Sequence, residues 1–315
     1  MHPISKAWKR GLCVVGLALL VCVGAGAAER PNILFILCDD LGYGDLGVFF
    51  QNARATAGNR NQPWHLTPHL DTLAADGVQL RHHYCPAPVC APSRASLLLG
   101  VHQGHANVRD NQFHKALADN HTLATVLRGA GYTTALIGKY GLQGTGSPAA
   151  AHPRYRGFDY FYGLLAHTDG HLHYSKEDGG HTYEDFTEVT AGLDLCYSTD
   201  LFTARAKRWL TDHAATNAAQ PFFLYLAYDV PHARLQIPTQ AYPAGFGTTG
   251  GVQWVGTAGT MINTASGTRN SWVHPDYNTA TWDDDANGGT PEVAWPTYAK
   301  YHATMVRRLD DAVAD

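Results

Sequence analysis

The sequence predicts an α/β protein built on a mixed, mostly parallel β-sheet. Three observations carry that expectation. Residues 32–38 (NILFILC) and 222–228 (FFLYLAY) are continuous apolar runs, as in strands buried on both faces. Segments with helical spacing of apolar residues lie between them. Strand-like and helix-like segments alternate, the order that produces parallel sheets.

The elements follow in order. Residues 32–38 form the opening strand. Thr67 and Pro68 start a helix as N-cap and first helical residue, Leu70, Leu73 and Ala74 give it an apolar stripe, and Gly77 ends it. Residues 78–84 read as a strand and 93–99 as a short helix. Residues 122–129 read as a helix leading into a strand at 132–137. A longer helix at 199–212 leads to the strand at 222–228, and 293–315 is a last helix. Residues 243–291 are rich in Gly, Thr, Asn and Trp and lack periodicity. They read as an irregular insertion near an active-site mouth, with short hairpins.

At 315 residues the chain is long enough for two domains or one large one. Its net charge is −4, which provides no basic footprint for nucleic acid. Hydrophobic residues make up 45% and charged residues 16%, which argues against disorder. Lys6, Lys9 and Arg10 precede an apolar run at 11–23, and Ala25-Gly26-Ala27 gives an A-x-A site, so residues 1–28 read as a secretory signal peptide. The run's 13 residues are short for a membrane span. The expected mature chain, 29–315, is exported to a periplasmic or extracellular compartment, has no stable membrane span and carries a charge of −7. Four cysteines remain in it: Cys38, Cys85, Cys90 and Cys196. None forms a C-x-x-C pair, which excludes a zinc ribbon or a thioredoxin motif.

Asp39 and Asp40 directly follow the first buried strand, and open α/β sheets bind ligands at the carboxyl ends of their strands. Paired carboxylates there suit a hard cation such as Ca²⁺ or Mg²⁺; the alternative is an Asp-Asp-Leu-Gly turn. Cys90 precedes Pro92, Ser93 and Arg94 at the start of a helix, where the backbone favours anions and activates a thiol. Cys90 therefore reads either as a nucleophile, with Arg94 as an anion clamp, or as a buried structural cysteine.

Cys90-Ala91-Pro92-Ser93-Arg94, followed by Ala95-Ser96-Leu97-Leu98-Leu99-Gly100, resembles the signature of the type I sulfatases. Residues 31–36 leading into Asp39-Asp40-Leu41-Gly42 resemble that family's opening strand and metal loop. Thr67-Pro68-His69-Leu70-Asp71 resembles its TPNLD helix and Gly138-Lys139-Tyr140 its GKW block. Arg156-Gly157-Phe158-Asp159 and Pro231-His232 resemble two further blocks, in the family's order.

The resemblance implies an alkaline-phosphatase-like fold, with helices on both faces of the sheet. It also implies a mechanism. A formylglycine-generating or sulfatase-maturing enzyme converts Cys90 to formylglycine. One hydroxyl of the hydrated aldehyde attacks sulfur and the other later expels sulfate. A divalent metal, Ca²⁺ or Mg²⁺, is implied on Asp39, Asp40 and residue 90. Arg94, Lys139 and His232 are implied as catalytic residues, with Lys139 and His232 also binding the sulfate. If Cys90 is consumed, Cys38 reads as a reduced core thiol, and Cys85 and Cys196 are left paired or free.

Two departures stand out. Where many members carry His after the GKW block, this chain has Gly141. His167, His171 or His173 could supply the imidazole, and His167 is the choice. The family's adjacent Asp-Asn metal pair lies on a strand beyond the helix matching 295–315, so Asp315 reads as the end of a fragment. Asp283-Asp284-Asp285-Ala286-Asn287-Gly288 matches half of an EF-hand loop but reads as a turn. The expected function is hydrolysis of a sulfated carbohydrate or aryl sulfate. The alternatives are a phosphoesterase or phosphonate hydrolase of the same superfamily, and an inactive anion- or glycan-binding relative. Tyr162, Trp254, Trp272 and Trp282 are either sugar-stacking or core aromatics.

Overall fold

The computed structural model describes residues 30–58, 61–111, 115–176 and 179–315, so the signal segment at 1–28 lies outside the described residues. All elements below belong to the unit Ile33–Asp315. The strands of the main sheet are β1 (Ile33–Asp39), β2 (Thr133–Lys139), β3 (Tyr160–Leu164), β4 (Tyr183–Glu184), β5 (Thr187–Glu188) and β6 (Phe222–Pro231). The helices are α1 (Asn52–Ala57), α2 (Pro68–Asp76), α3 (Cys90–Leu99), α4 (Leu123–Gly129), α5 (Ser198–Thr216), α6 (Pro275–Asn278) and α7 (Thr297–Ala314).

The apolar run at 222–228 becomes an inner strand, β6, buried beyond its first residue. It pairs in parallel with β1 on one side and β2 on the other, and β2 pairs in parallel with β3. The antiparallel β4–β5 hairpin completes the order β1-β6-β2-β3-β4-β5. Alternate residues of a strand face opposite ways. Ile137, Leu224, Leu226 and Tyr228 therefore pack with Leu201 and Phe202 of α5 and with Met305 and Leu309 of α7. Leu136, Phe223, Tyr225 and Ala227 pack with Ala95 and Leu98 of α3 and Ala124 of α4. The sheet is thus mostly parallel with helices on both faces, as expected.

Several local expectations are corrected. Residues 78–84 form no strand; Val78 and Tyr84 are 88% and 76% exposed, because no neighbour pairs with that stretch. A strand the sequence did not announce, β3, pairs with β2 on the side away from β6; its YFYGL sequence lacks a clean apolar alternation. Thr67 is the N-cap residue of α2 and Pro68 follows it, as expected, but the Thr67 side chain makes no capping hydrogen bond. Its hydroxyl accepts the Gly47 N–H at 2.8 Å, and Asp310 of α7 receives the N–H groups of His69 and Leu70 instead. The last helix begins only at Thr297, after Pro296, because residues 293–294 join a two-stranded pairing with 281–282. Cys85 is exposed and Cys196 buried, and both are free thiols.

The 243–291 segment holds one antiparallel hairpin, Trp254–Thr257 with Thr260–Ile262, and the short helix α6. Thr264 ties it to Asp200 of α5 at 2.7 Å. Asp283 and Asp285 accept the Asn287 N–H, as in the expected turn. Tyr162 is 1% exposed and belongs to the core, and the partly buried Trp254 packs edge-on against it. No helix among the described residues is long and apolar enough to cross a membrane.

One buried ion pair ties the two helices of the α5–α7 face. Arg308 of α7 donates through Nε and Nη2 to Asp200 of α5 at 2.7 and 2.5 Å, and both side chains are almost wholly buried. Removing one partner strands the other charge in the core. Arg308→Ala is expected to lower the urea unfolding free energy by about 3–5 kcal/mol. A loss below about 1 kcal/mol would show that water or a neighbour compensates Asp200.

Candidate active site

Three parallel strands deliver their last residues to one edge of the sheet. β1 ends at Asp39, β2 at Lys139 and β6 at Pro231, with His232 next in sequence. That edge is where open α/β sheets place ligands. Helix α3 begins there with Cys90 as its first helical residue. The N-terminal end of a helix favours negative charge.

Asp39 is the hub. Its carboxylate pairs with the Lys139 ammonium and lies 3.4 Å from Arg94 Nη2. All three side chains are buried, Lys139 completely. Burial pushes the Asp39 carboxyl up, but Arg94 and Lys139 outweigh it and hold it at about 2. Arg94 Nη1 also donates to the Lys139 carbonyl at 2.5 Å, joining α3 to β2. Cys90 Sγ lies 3.5 Å from Lys139 Nζ and 3.9 Å from Asp39 Oδ2. Two cations and one carboxylate leave a surplus positive charge beside residue 90. The Lys139 stem runs close to Gly170, where a β-carbon would sit 2.5 Å from its Cδ. The backbone is bent at two adjoining positions: Asp40 has φ 63° and Val89 φ 62°, a region a β-branched residue rarely enters.

Histidines form the other wall. The His232 ring stacks on His171 at 4.4 Å between centroids, and its Nε2 lies 3.6 Å from the Asp40 carboxylate. Cys90, His171 and His232 each offer a donor atom within 4.8 Å of the others. His167 sits edge-on to His171 and fills space beside Gly141. A β-carbon at Gly141 would lie 3.2 Å from the His167 Cβ and 3.7 Å from the Arg94 Cδ. Behind this wall, buried His173 donates from Nε2 to the His232 carbonyl at 2.9 Å. Its Nδ1 lies 3.3 Å from Asp229, which also accepts from Ser198 at 2.8 Å.

A sulfatase family model matches residues 31–315. The chain belongs to the sulfatase family. It is 34% identical to mouse arylsulfatase J over 225 residues, which cover 68% of this chain and 35% of that protein. It is 32% identical to pig N-acetylgalactosamine-6-sulfatase over 246 residues, covering 71% of this chain and 43% of that one. The chain thus spans less than half the length of these relatives. The solved structure of Ps i-CgsB matches it with a TM-score of 0.58 at 23% identity, over 90% of this chain and 53% of that one. The fold is that of the alkaline-phosphatase-like sulfatases.

The structure of this sulfatase-family chain gathers Cys90, Arg94 and Lys139 around the Asp39 carboxylate and sets His232 and His167 beside them. Asp40 is turned toward His232 and is not packed in place, its side chain being 60% exposed. Sulfatases generally use a metal and a formylglycine. The donor types here fit a hard cation, since Asp39 and residue 90 face each other and Asp40 adjoins them. These three are a part of the roughly six to eight oxygens that Ca²⁺ takes. Asp229 was missed from the sequence. Its signal was a carboxylate inside a fully buried strand, which requires a partner.

The His173–Asp229 pair has a pH signature. Burial lowers the His173 pKa, but Asp229 outweighs it and raises it above 6.5. The pair therefore contributes fully below pH 6.5, and its contribution fades as pH rises through the folded-state value. Guanidinium unfolding from pH 6 to 9 should show this decline in the wild type. In Asp229→Asn the decline should flatten; an unchanged slope would assign it to another group.

Proposed function

We propose that this sulfatase hydrolyses sulfate esters of a sulfated carbohydrate or an aryl alcohol, with residue 90 as the nucleophile. One observation carries the reading: Cys90 opens α3 at the strand ends, beside both the Lys139 ammonium and the Asp39 carboxylate. The names of the relatives, an arylsulfatase and an N-acetylgalactosamine-6-sulfatase, support the substrate class. The basic residues, apolar run and A-x-A site at 1–28 support export to a periplasmic or extracellular compartment. A formylglycine-generating or sulfatase-maturing enzyme is the implied partner.

Once hydrated, formylglycine at position 90 supplies the oxygen that attacks sulfur. Asp39, Asp40 and residue 90 would hold a divalent ion, Ca²⁺ or Mg²⁺, which would supply polarisation of the sulfate oxygens. The chain's own residues do the rest. Lys139 and Arg94 set positive charge where the sulfate gathers negative charge, and their burial strengthens it. Asp39 keeps both cations in place. His232 lies at the mouth, where it binds sulfate or holds a proton for the leaving oxygen. His167 binds sulfate from the space that Gly141 leaves open. His173 and Asp229 orient His232 through its carbonyl.

The first test is a mass spectrum of the tryptic peptide at residues 82–94, from the native host. An aldehyde in place of the thiol is expected; an intact thiol in a host with the modifying enzyme overturns the reading. An aryl sulfate should be turned over faster than the matching aryl phosphate, and the reverse preference would move the protein to phosphoryl chemistry. Lys139→Met should lower kcat by about 10²–10³ while the peptide stays modified. An unchanged kcat would remove Lys139 from the catalytic set.

A further inference from the structure

The carboxylate of Asp45 and the imidazoles of His65 and His302 meet at a place the catalytic reading leaves unused. Each offers one donor atom, and the three lie within 4.8 Å of one another. They come from three separate segments. Asp45 ends the short 3-10 turn Tyr43–Asp45 that follows β1, His65 precedes α2, and His302 sits on α7. None is shared with the catalytic cluster.

We propose that Asp45, His65 and His302 form a second metal site, for a divalent ion of the zinc type. Two imidazoles and one carboxylate are a donor set that such ions take, with a further position left for water. The His65 ring is held in place by a hydrogen bond. Its Nε2–H donates to the Asp45 carbonyl at 2.8 Å, which leaves the lone pair on Nδ1. Metal-binding imidazoles are commonly fixed by this kind of bond to a backbone carbonyl. The two rings meet edge to face with centroids 5.5 Å apart.

The place is also reachable. Asp45, His65 and His302 line a pocket of about 440 Å³ together with Trp282, Trp295 and Tyr298. Arg54 shares that pocket, but its guanidinium donates to the Gln62 carbonyl at 2.9 Å and lies over the Phe50 ring. An ion here would clip α7 to the turn that leaves the catalytic strand β1. It would brace the loop carrying Asp39 and Asp40 without entering the reaction.

The test is titration of the chelator-treated protein with zinc chloride, read by calorimetry and by thermal melting. Zinc at about 100-fold excess over its dissociation constant should raise the wild-type Tm by about 5 °C. His302→Gln and His65→Gln should each bind one equivalent fewer and lose that gain. Cys90→Ser with His171→Gln should retain it, which separates this site from zinc held by Cys90, His171 and His232. Full stoichiometry in His302→Gln, or loss of the gain in the Cys90→Ser, His171→Gln protein, overturns the proposal. His302 is only partly buried, so its variant carries the test should His65→Gln fail to fold.

Discussion

The buried carboxylate of Asp39 lets two buried cations, Arg94 and Lys139, stand beside residue 90. An isolated ammonium or guanidinium in a core carries a desolvation cost of several kcal/mol. Asp39 offsets that cost for both, and one positive charge is left over. The surplus favours negative charge at that place. The sheet is arranged to deliver it: Asp39 and Lys139 lie on β1 and β2, which are separated by β6. Leu37 and Gly138 both stand level with Ala227 of β6, so the two strands release their charged ends at nearly the same height.

The histidine wall is built differently, through the backbone. His173 is held by Asp229 and in turn holds the carbonyl of His232, so the ring of His232 is aimed by a bond to its own main chain. His171 then stacks on that ring, while Asp40 approaches its Nε2. Gly141 contributes by lacking a side chain, because a β-carbon there would press on His167 and crowd Arg94. The departure from the family block at position 141 and the placement of His167 are thus two sides of one packing choice.

Much of this was legible in the sequence, for local reasons. The runs at 32–38 and 222–228 became β1 and β6, but only β6 is buried on both sides; β1 pairs with β6 alone at the edge of the described sheet, so its apolar residues are only partly buried and Leu34 is exposed. Cys90 and Arg94 were legible from a motif and a helix start, and Lys139 and His232 from blocks at strand ends. What escaped was set by long-range partners. Asp310 accepts the first N–H groups of α2 from 241 positions away, and no local pattern announces that the Thr67 hydroxyl will turn to Gly47 instead. The strand at 160–164 escaped because its place depends on β2 beside it rather than on its own periodicity. The segment at 78–84 has the composition of a strand and lacks only a neighbour.

Helix α7 shows how distant parts of the chain bear on the catalytic edge. Its Arg308 neutralises Asp200 of α5, its Asp310 caps α2, and its His302 meets the turn that leaves β1. Each contact is made by a polar side chain on a helix that also packs Met305 and Leu309 into the core. Apolar packing alone would hold α7 against the sheet without fixing its rotation or its position along its axis. The hydrogen bonds of Arg308 and Asp310 fix both, because each needs a partner atom within about 3 Å and in line. A shift of α7 would therefore uncap α2 and strand Asp200. It would also carry His302 away from Asp45, six residues beyond the Asp39 that pairs with both buried cations.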